Sequence, residues 1–524
     1  MSERSQCLDC DVLVVGGGIN GAGIARDASG RGLRVILCEK DDLAQHTSSA
    51  SSKLIHGGLR YLEQYHFGLV RKALAEREVL LKSAPHIMRP LRFLMPHAAG
   101  DGGAGQRPAW LVRAGLFLYD HLAHRDFLPG SEMIALHAHS AGAPLQPRFT
   151  HAFAYSDACV DDARLVVLAA VDASERGATV LTRTRCAALV REPQRWVATL
   201  RGKDIEIRVK ARCLVNAAGP WAASFLGLAG AGARPRPLRL IKGSHIVLPH
   251  LFEHDSAYIL QQPDGRVVFA IPYEGRFTLV GTTDADYRGD LDRVAVEDAE
   301  IDYLCAAINR AFAQPVAPKD VVWSYAGVRP LIGEEGGSGA MSAQSASRDY
   351  RLETCQDGAP LLSVFGGKVT TFRKLAEQAV DWIAPALGGH VPGWTDKACL
   401  PGGDLFGRQP SARAVREAKA WIHARQQQYA GLPRTLVARY ASAYGTRLSA
   451  MLGPCRGRAD LGEEIVPGLF EVEADWLVRQ EWAQTAEDIL WRRTKLGLHL
   501  QTQMPPGGVR RLEAWLGAKA AQLK

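Results

Sequence analysis

The chain has 524 residues, 47% of them apolar and 23% charged, with a formal net charge of +8. That length exceeds one ordinary domain, and the composition is that of a globular chain with a large core, which excludes a disordered or collagen-like protein. The charge is mild for the length and spread along the chain, so no nucleic-acid partner is expected, while anionic small molecules or an anionic membrane face remain open.

Ten cysteines without a regular framework fit a reducing compartment. The one CxxC, Cys7–Cys10, lacks a second pair at zinc spacing, so no metal site is expected. An apolar strand begins by about residue 11, which leaves no room for a leader, and no run of eighteen apolar residues occurs. The expected location is the cytoplasm, or the membrane surface.

Residues 11–15, "DVLVV", form a short apolar run typical of a buried parallel strand. "GGGINGAG" follows, with Gly16, Gly18 and Gly21 in G-x-G-x-x-G register. A helix ending near Gly30 or Gly32 and a second strand ending at Glu39 complete the unit. The first glycine permits the tight turn, the second lets a pyrophosphate approach the backbone, and the third lets helix and strand pack closely. The helix N-terminus offers N–H groups and a positive dipole end to phosphate. Glu39 is placed to accept from ribose hydroxyls and would repel a 2′-phosphate, which argues against NADP.

Residues 46–63, "HTSSASSKLIHGGLRYLE", carry too many polar groups for a core segment. Thr47, Ser48, Ser49 and Ser52 can bond phosphate oxygens and ribityl hydroxyls. Lys53 supplies a cation beside that charge, and Gly57 and Gly58 let the backbone lie near a planar ring. The spacing predicts one helix continuing from residue 59 to about 81, with Arg60 and Tyr61 in its first turn.

Two later segments repeat the strand–glycine–helix pattern. "ARCLVNAAGPWA" (211–222) ends in small residues around Gly219, which lets a strand end pass close to a cofactor. "LLSVFGGKVTTFRKLAEQAV" (361–380) places Gly366, Gly367, Lys368, Thr370 and Thr371 at a helix start, suited to negative charge on a reduced flavin. Residues 238–330 read as short strands separated by turns, a mostly antiparallel sheet. After about residue 398, apolar stripes at helical spacing predict helices, in which Arg492, Arg493 and Lys495 form a solvated face, docking against the catalytic body or anionic lipid being the competing readings.

The ordered motifs "VVGGGINGAGIARDA", "TSSASSKLIHGGLRYLE", "YSDACVDDARLV", "RLIKGSHIVLP", "GTTDADY", "WSYAGVRPL", "SRDY" and "LLSVFGGKVTTFRKLAE" resemble the FAD-dependent respiratory glycerol-3-phosphate dehydrogenases, within the D-amino-acid-oxidase-like flavoproteins. The resemblance implies an α/β (α+β) architecture. A discontinuous Rossmann-like FAD-binding domain is expected over 1–90, 151–235 and 355–397. An antiparallel substrate domain is expected over 91–150 and 236–354, and an all-helical C-terminal domain over 398–524.

It also implies FAD as cofactor and sn-glycerol 3-phosphate as substrate, its phosphate gripped by Arg60 and Arg329, with Tyr61 and Arg348 beside them. His245 is the expected base, with Lys368 the alternative. A quinone acceptor at an anionic membrane and a homodimer are further expectations. Residues 107–125, with Trp110, Leu111, Leu116, Phe117, Leu118 and Tyr119 between Arg107, Arg113 and Arg125, are the candidate membrane contact, a core helix being the competing reading. An oxygen-using oxidase on the same scaffold, an amino-acid or hydroxy-acid oxidase and a non-catalytic flavin scaffold are the competing functions.

Overall fold

The computed structural model describes residues 6–98, 107–230, 238–332, 349–501 and 504–522. Its first sheet runs in the order Arg351–Cys355, Leu361–Phe365, Glu206–Asn216, Gln6–Val15, Val35–Cys38, Thr179–Leu181. The inner pairs are parallel and Arg351–Cys355 is antiparallel. Helices Ile19–Gly30, Asp162–Glu175 and Phe372–Ala386 bury their apolar stripes together against one face, in the core that holds Val12, Val14, Leu168 and Phe372. Each such fully buried aliphatic or aromatic side chain contributes about 1.5–3 kcal/mol.

Parallel strands present their carboxyl ends on one edge, where open α/β sheets bind ligands. Four of them end at Val15, Cys38, Asn216 and Phe365. The next residues are Gly16, Glu39, Ala217 and Gly366, so the candidate cofactor segments meet at a single edge.

The second sheet has ten strands and is mostly antiparallel, with one parallel pair between Met88–Ala98 and Ala257–Gln261. Its membership departs from the expected domain boundaries. Phe149–Val160 pairs along its length with Met88–Ala98, and Leu54–Ile55 adds at the edge, so residues 151–160 belong to this sheet rather than the first. Arg351–Cys355 goes the other way, onto Leu361–Phe365.

Two helical expectations need correction. The segment after Gly58 is a 3₁₀ turn, Leu59–Leu62, and the α-helix starts only at Phe67 and runs to Ser83. Tyr65, at φ 58°, interrupts the helix in the left-handed region without a glycine or proline to announce it. The C-terminal part is helical but contains a hairpin, Glu464–Val466 with Leu469–Phe470, turned at Pro467–Gly468. The Arg492, Arg493 and Lys495 side chains are buried against the rest of the molecule, not solvated.

Candidate active site

The dinucleotide groove is built by close approach. Gly16 has φ +114°, and a Cβ on it would lie 2.4 Å from the Ala217 carbonyl oxygen. A Cβ on Gly21 would lie 1.9 Å from the carbonyl oxygen of Gly16. Gly18 caps the helix start without a side-chain bond, and Ile19 N donates to Ser48 Oγ at 3.0 Å. Glu39 is buried; its oxygens accept from Gly17 N at 2.6 Å and Asp41 N at 2.9 Å. Burial pushes its carboxyl up, while those two N–H groups oppose the shift.

A cavity of about 350 Å³ runs from Gly16 and Gly18 past Glu39, Thr47 and Ser48 to Gly219 and Trp221. Asn20 borders it, with a buried Oδ1 that has no partner and an Nδ2 that donates to Gly366 O at 3.2 Å. Glycines, an uncapped helix start, a ribose-facing acid and an orphaned acceptor fit FAD.

The hydroxyl-rich segment spans the two sheets. Thr47 Oγ1 donates to Val328 O at 2.7 Å, and a Cβ on Gly327 would lie 2.9 Å from Ala50 Cβ. Thr47 and Ser48 line the groove, and Thr47 and Ser49 line a second cavity shared with Tyr325, Trp491 and Lys495. Ser52 Oγ shares a 2.8 Å hydrogen bond with His245 Nε2. Lys53 sits at φ 57° and turns inward: its buried ammonium donates to Asp162 Oδ1 at 2.8 Å and Ser49 O at 2.9 Å. Ser52 and Lys53 therefore brace the segment and the histidine, where the sequence suggested direct contacts with the cofactor.

Gly57 and Gly58 are held from beneath. Gly57 N donates to Tyr119 Oη at 2.9 Å, and Tyr119 Oη donates to Asp157 Oδ2 at 2.7 Å. Arg77 Nη1 donates to Asp157 Oδ1 at 2.7 Å. All three side chains are buried, and burial pushes the Tyr119 hydroxyl far up, keeping it a donor. Replacing Asp157 by leucine removes one of the two carboxylates on the buried Arg77 guanidinium, which keeps Glu78 and the Ser156 carbonyl, and is expected to cost about 1.5–3 kcal/mol. Tyr119→Phe keeps the Arg77–Asp157 pair and should cost about 1 kcal/mol. Urea titration monitored by circular dichroism measures both.

Gly366 and Gly367 have φ 70° and 99° and lead into the 3₁₀ turn Val369–Thr371. A Cβ on Gly367 would lie 3.1 Å from the Asn20 amide nitrogen, so this turn closes on the glycine-rich helix. Thr370 Oγ1 accepts from His56 N at 3.2 Å and ties the turn to the segment just before Gly57. Thr370 and Thr371 are buried, and Lys368 Nζ lies 3.7 Å above the Tyr61 ring centre.

The substrate side is one face of the second sheet. Leu238–Pro249 pairs with Trp323–Ile332, placing Ile241 opposite Arg329, Gly243 opposite Gly327 and His245 opposite Tyr325. Residues spaced by two share a face, so His245, Tyr325, Gly243, Gly327 and Arg329 lie together. The His245 and Tyr325 rings stack at 4.9 Å and 13°. A Cβ on Gly281 would lie 2.1 Å from His245 Cδ2, and one on Gly243 would lie 2.7 Å from Arg329 Nη2. Both glycines make room for the functional side chains. Burial pushes the His245 imidazole well below its ordinary range, and the Arg329 and Lys53 cations push the same way. Its Nδ1 is buried without a partner. Arg329 lies 3.5 Å from Thr282 Oγ1 and 3.6 Å from Asp284 Oδ1.

Arg60 stands at the border of an apolar groove formed with Leu62, Phe67, Leu111 and Leu118. Arg348 lies outside the described residues. Sequence reasoning assigned no role to Asp157, Asp162, Arg77 or Tyr325, and placed Tyr119 in the candidate membrane contact rather than beneath Gly57. Asp157 stands in the strand part of "YSDACVDD" and Tyr325 in "WSYAGVRPL", so a carboxylate or phenol in a largely apolar strand was the available signal, while Asp162 opens the helix that follows.

Residues 11–373 match the family model for FAD dependent oxidoreductases, and residues 394–504 match the C-terminal domain of alpha-glycerophosphate oxidase. A curated glycerol-3-phosphate dehydrogenase from Pseudomonas aeruginosa is 52% identical over 94% of this chain and 92% of that relative. A D-erythritol 1-phosphate dehydrogenase from Brucella abortus is 49% identical over 94% of this chain and 95% of that relative. Among solved structures, the glycerol-3-phosphate dehydrogenase of Bacillus halodurans complexed with FAD superposes with a TM-score of 0.75 at 26% identity, covering 99% of this chain and 91% of that one. The glycine-built groove, the face that carries His245 and Arg329, and these likenesses have one reading: the chain belongs to the FAD-dependent oxidoreductase family, in the group of the glycerol-3-phosphate dehydrogenases.

Proposed function

We propose that this flavoenzyme oxidises sn-glycerol 3-phosphate at C2 to dihydroxyacetone phosphate and delivers the electrons to a membrane quinone. The observation that carries the reading is a neutral, buried His245 sharing one sheet face with the Arg329 guanidinium, beside the segment that crosses to the FAD groove. Bound FAD supplies the acceptor for the C2 hydride at N5.

His245 takes the C2 hydroxyl proton. Ser52 and Tyr325 fix its ring, and the neutral imidazole is the form able to accept. Arg329 grips the phosphate with the paired N–H geometry that guanidinium provides. Arg60 adds a second cation as the ester enters, and Lys368, over Tyr61, orients its oxygens. Anaerobic addition of glycerol 3-phosphate should bleach the flavin at once. D-erythritol 1-phosphate, the substrate class in the name of the Brucella relative, is the second reading, and faster bleaching by it would displace the first.

The quinone acceptor and attachment to the cytoplasmic face of the membrane are supported by the helix Ala109–His121. Trp110, Leu111, Phe117 and Leu118 are exposed on it, with Tyr65 and Phe67 nearby. Leu116 and Tyr119 point inward, so the contact is narrower than the sequence suggested. The basic flank is narrower too, because Arg107 pairs with Glu63 and Arg125 with Asp120. The apolar groove of about 520 Å³ beneath this helix also reaches Arg60 and suits an isoprenoid quinone. No helix among the described residues is long and apolar enough to cross a membrane. Trp110→Asp combined with Phe117→Asp should abolish flotation with anionic vesicles and quinone reduction, while reduction of a soluble dye continues. Retained flotation would remove this helix as the contact.

A further inference from the structure

The C-terminal helical domain borders the cavity of Thr47, Ser49 and Tyr325 with Trp491, Arg492 and Lys495, and from the π-helix Asp488–Arg493 and Lys495 it pushes three cations into the body of the molecule. Arg493 donates to Asp42 at 2.6 and 2.8 Å, and Arg492 donates to the same carboxylate at 2.7 Å. Arg492 also donates to Asp488 at 2.5 Å, and Arg183 donates to Asp488 at 2.8 Å. Asp42 stands three residues after Glu39 and four before the hydroxyl-rich segment.

The far end of that segment is held in parallel. Lys495 donates to Asp161 at 3.0 Å. Asp161 accepts from Arg164 N at 3.1 Å and so caps the helix Asp162–Glu175. Asp162, in the first turn, accepts from Ser51 Oγ at 2.7 Å and Lys53 Nζ at 2.8 Å. Ser52, between those two, carries the hydrogen bond to His245. Both ends of residues 42–53 thus lead to one short C-terminal stretch, "RRTK" at 492–495.

We infer that Arg492, Arg493 and Lys495 are positioning residues that clamp residues 42–53 over the cofactor, so that the helical domain governs FAD retention and the seating of Ser52 against His245. The inference rests on the assignment of Thr47 and Ser48 to the FAD groove and of His245 to proton transfer. Three cations around buried carboxylates are costly to desolvate, and such networks hold geometry more reliably than they add stability. A bidentate guanidinium fixes a carboxylate in direction as well as distance, which lysine cannot do.

The test is FAD release from the full-length holoenzyme, followed by recovery of flavin fluorescence on dilution, well below the melting transition. Arg493→Lys and Asp42→Asn are each expected to speed release about ten-fold, and the double variant to release FAD no faster than either alone, as for a pair that acts as one unit. Lys495→Met should leave release within about two-fold but shift the acid limb of kcat, because it acts at the Ser52 end. A melting temperature that falls while release and the pH limb stay at parent values would overturn the clamp and leave a merely structural docking. Additive acceleration in the double variant would overturn it equally. If Arg493→Lys does not fold, the Asp42→Asn and Lys495→Met arms decide. Bleaching of the parent by glycerol 3-phosphate is scored separately, so a wrong substrate and a wrong clamp give different results.

Discussion

The His245→Asn enzyme is expected to turn over about a hundred- to ten-thousand-fold more slowly than the parent while keeping its FAD. The imidazole is enclosed by Tyr325, Gly281 and Ser52 and does not line the groove of Gly16, Glu39 and Ser48, so its loss leaves that groove intact. The pH dependence identifies it. Burial pushes the imidazole well below its ordinary range, and Arg329 and Lys53 add to that. A lowered pKa means that the ring is neutral through pH 7 and gains a proton only on further acidification. The parent's kcat should therefore be flat across neutral pH and fall on the acid side, and the limb should vanish in His245→Asn. Steady-state kinetics from pH 5 to 9 with a soluble dye measures this. A parent-like limb in the variant would pass the role of base to Lys368.

Arg329→Ala is expected to lower kcat/KM for glycerol 3-phosphate by about 10- to 150-fold, nearly all in KM, since hydrogen bonds to charged groups contribute about 1.5–3 kcal/mol. FAD content should not change, because the guanidinium lies across Gly243 beside Thr282 and Arg329 does not line the groove. The same variant removes the second cause of the His245 shift, so the acid limb should move to higher pH. These two effects share one origin, a cation that attracts the phosphate and repels a proton from the base. An unchanged KM would take Arg329 out of the phosphate grip. An unmoved limb with a raised KM would separate the grip from the histidine.

The parts legible in the sequence were those encoded by local rules. Gly16 and Gly21 announce themselves because no other residue fits the contacts with Ala217 and Gly16 that the turn requires. Glu39 stands at a strand end, a position set by counting along one βαβ unit. His245 and Arg329 were named through their motifs, but their common face follows only from the register of Leu238–Pro249 on Trp323–Ile332. The helix break at Tyr65 had no local signal. The domain edges failed for the related reason that the sheet to which Phe149–Val160 belongs depends on the strand it pairs with.

By itself the chain's sequence determined the strand–glycine–helix unit at its start, since that depends on neighbours within a few tens of residues, and it indicated the cofactor class through motifs spread along the chain. The tertiary structure alone decided that Lys53 and Ser52 serve Asp162 and His245, and that Tyr119 and Asp157 carry Gly57. It alone decided that Arg493 reaches Asp42 across 451 positions of sequence. A charge written in a sequence carries no direction, and the partner that makes it structural or functional is chosen only when distant segments pack together.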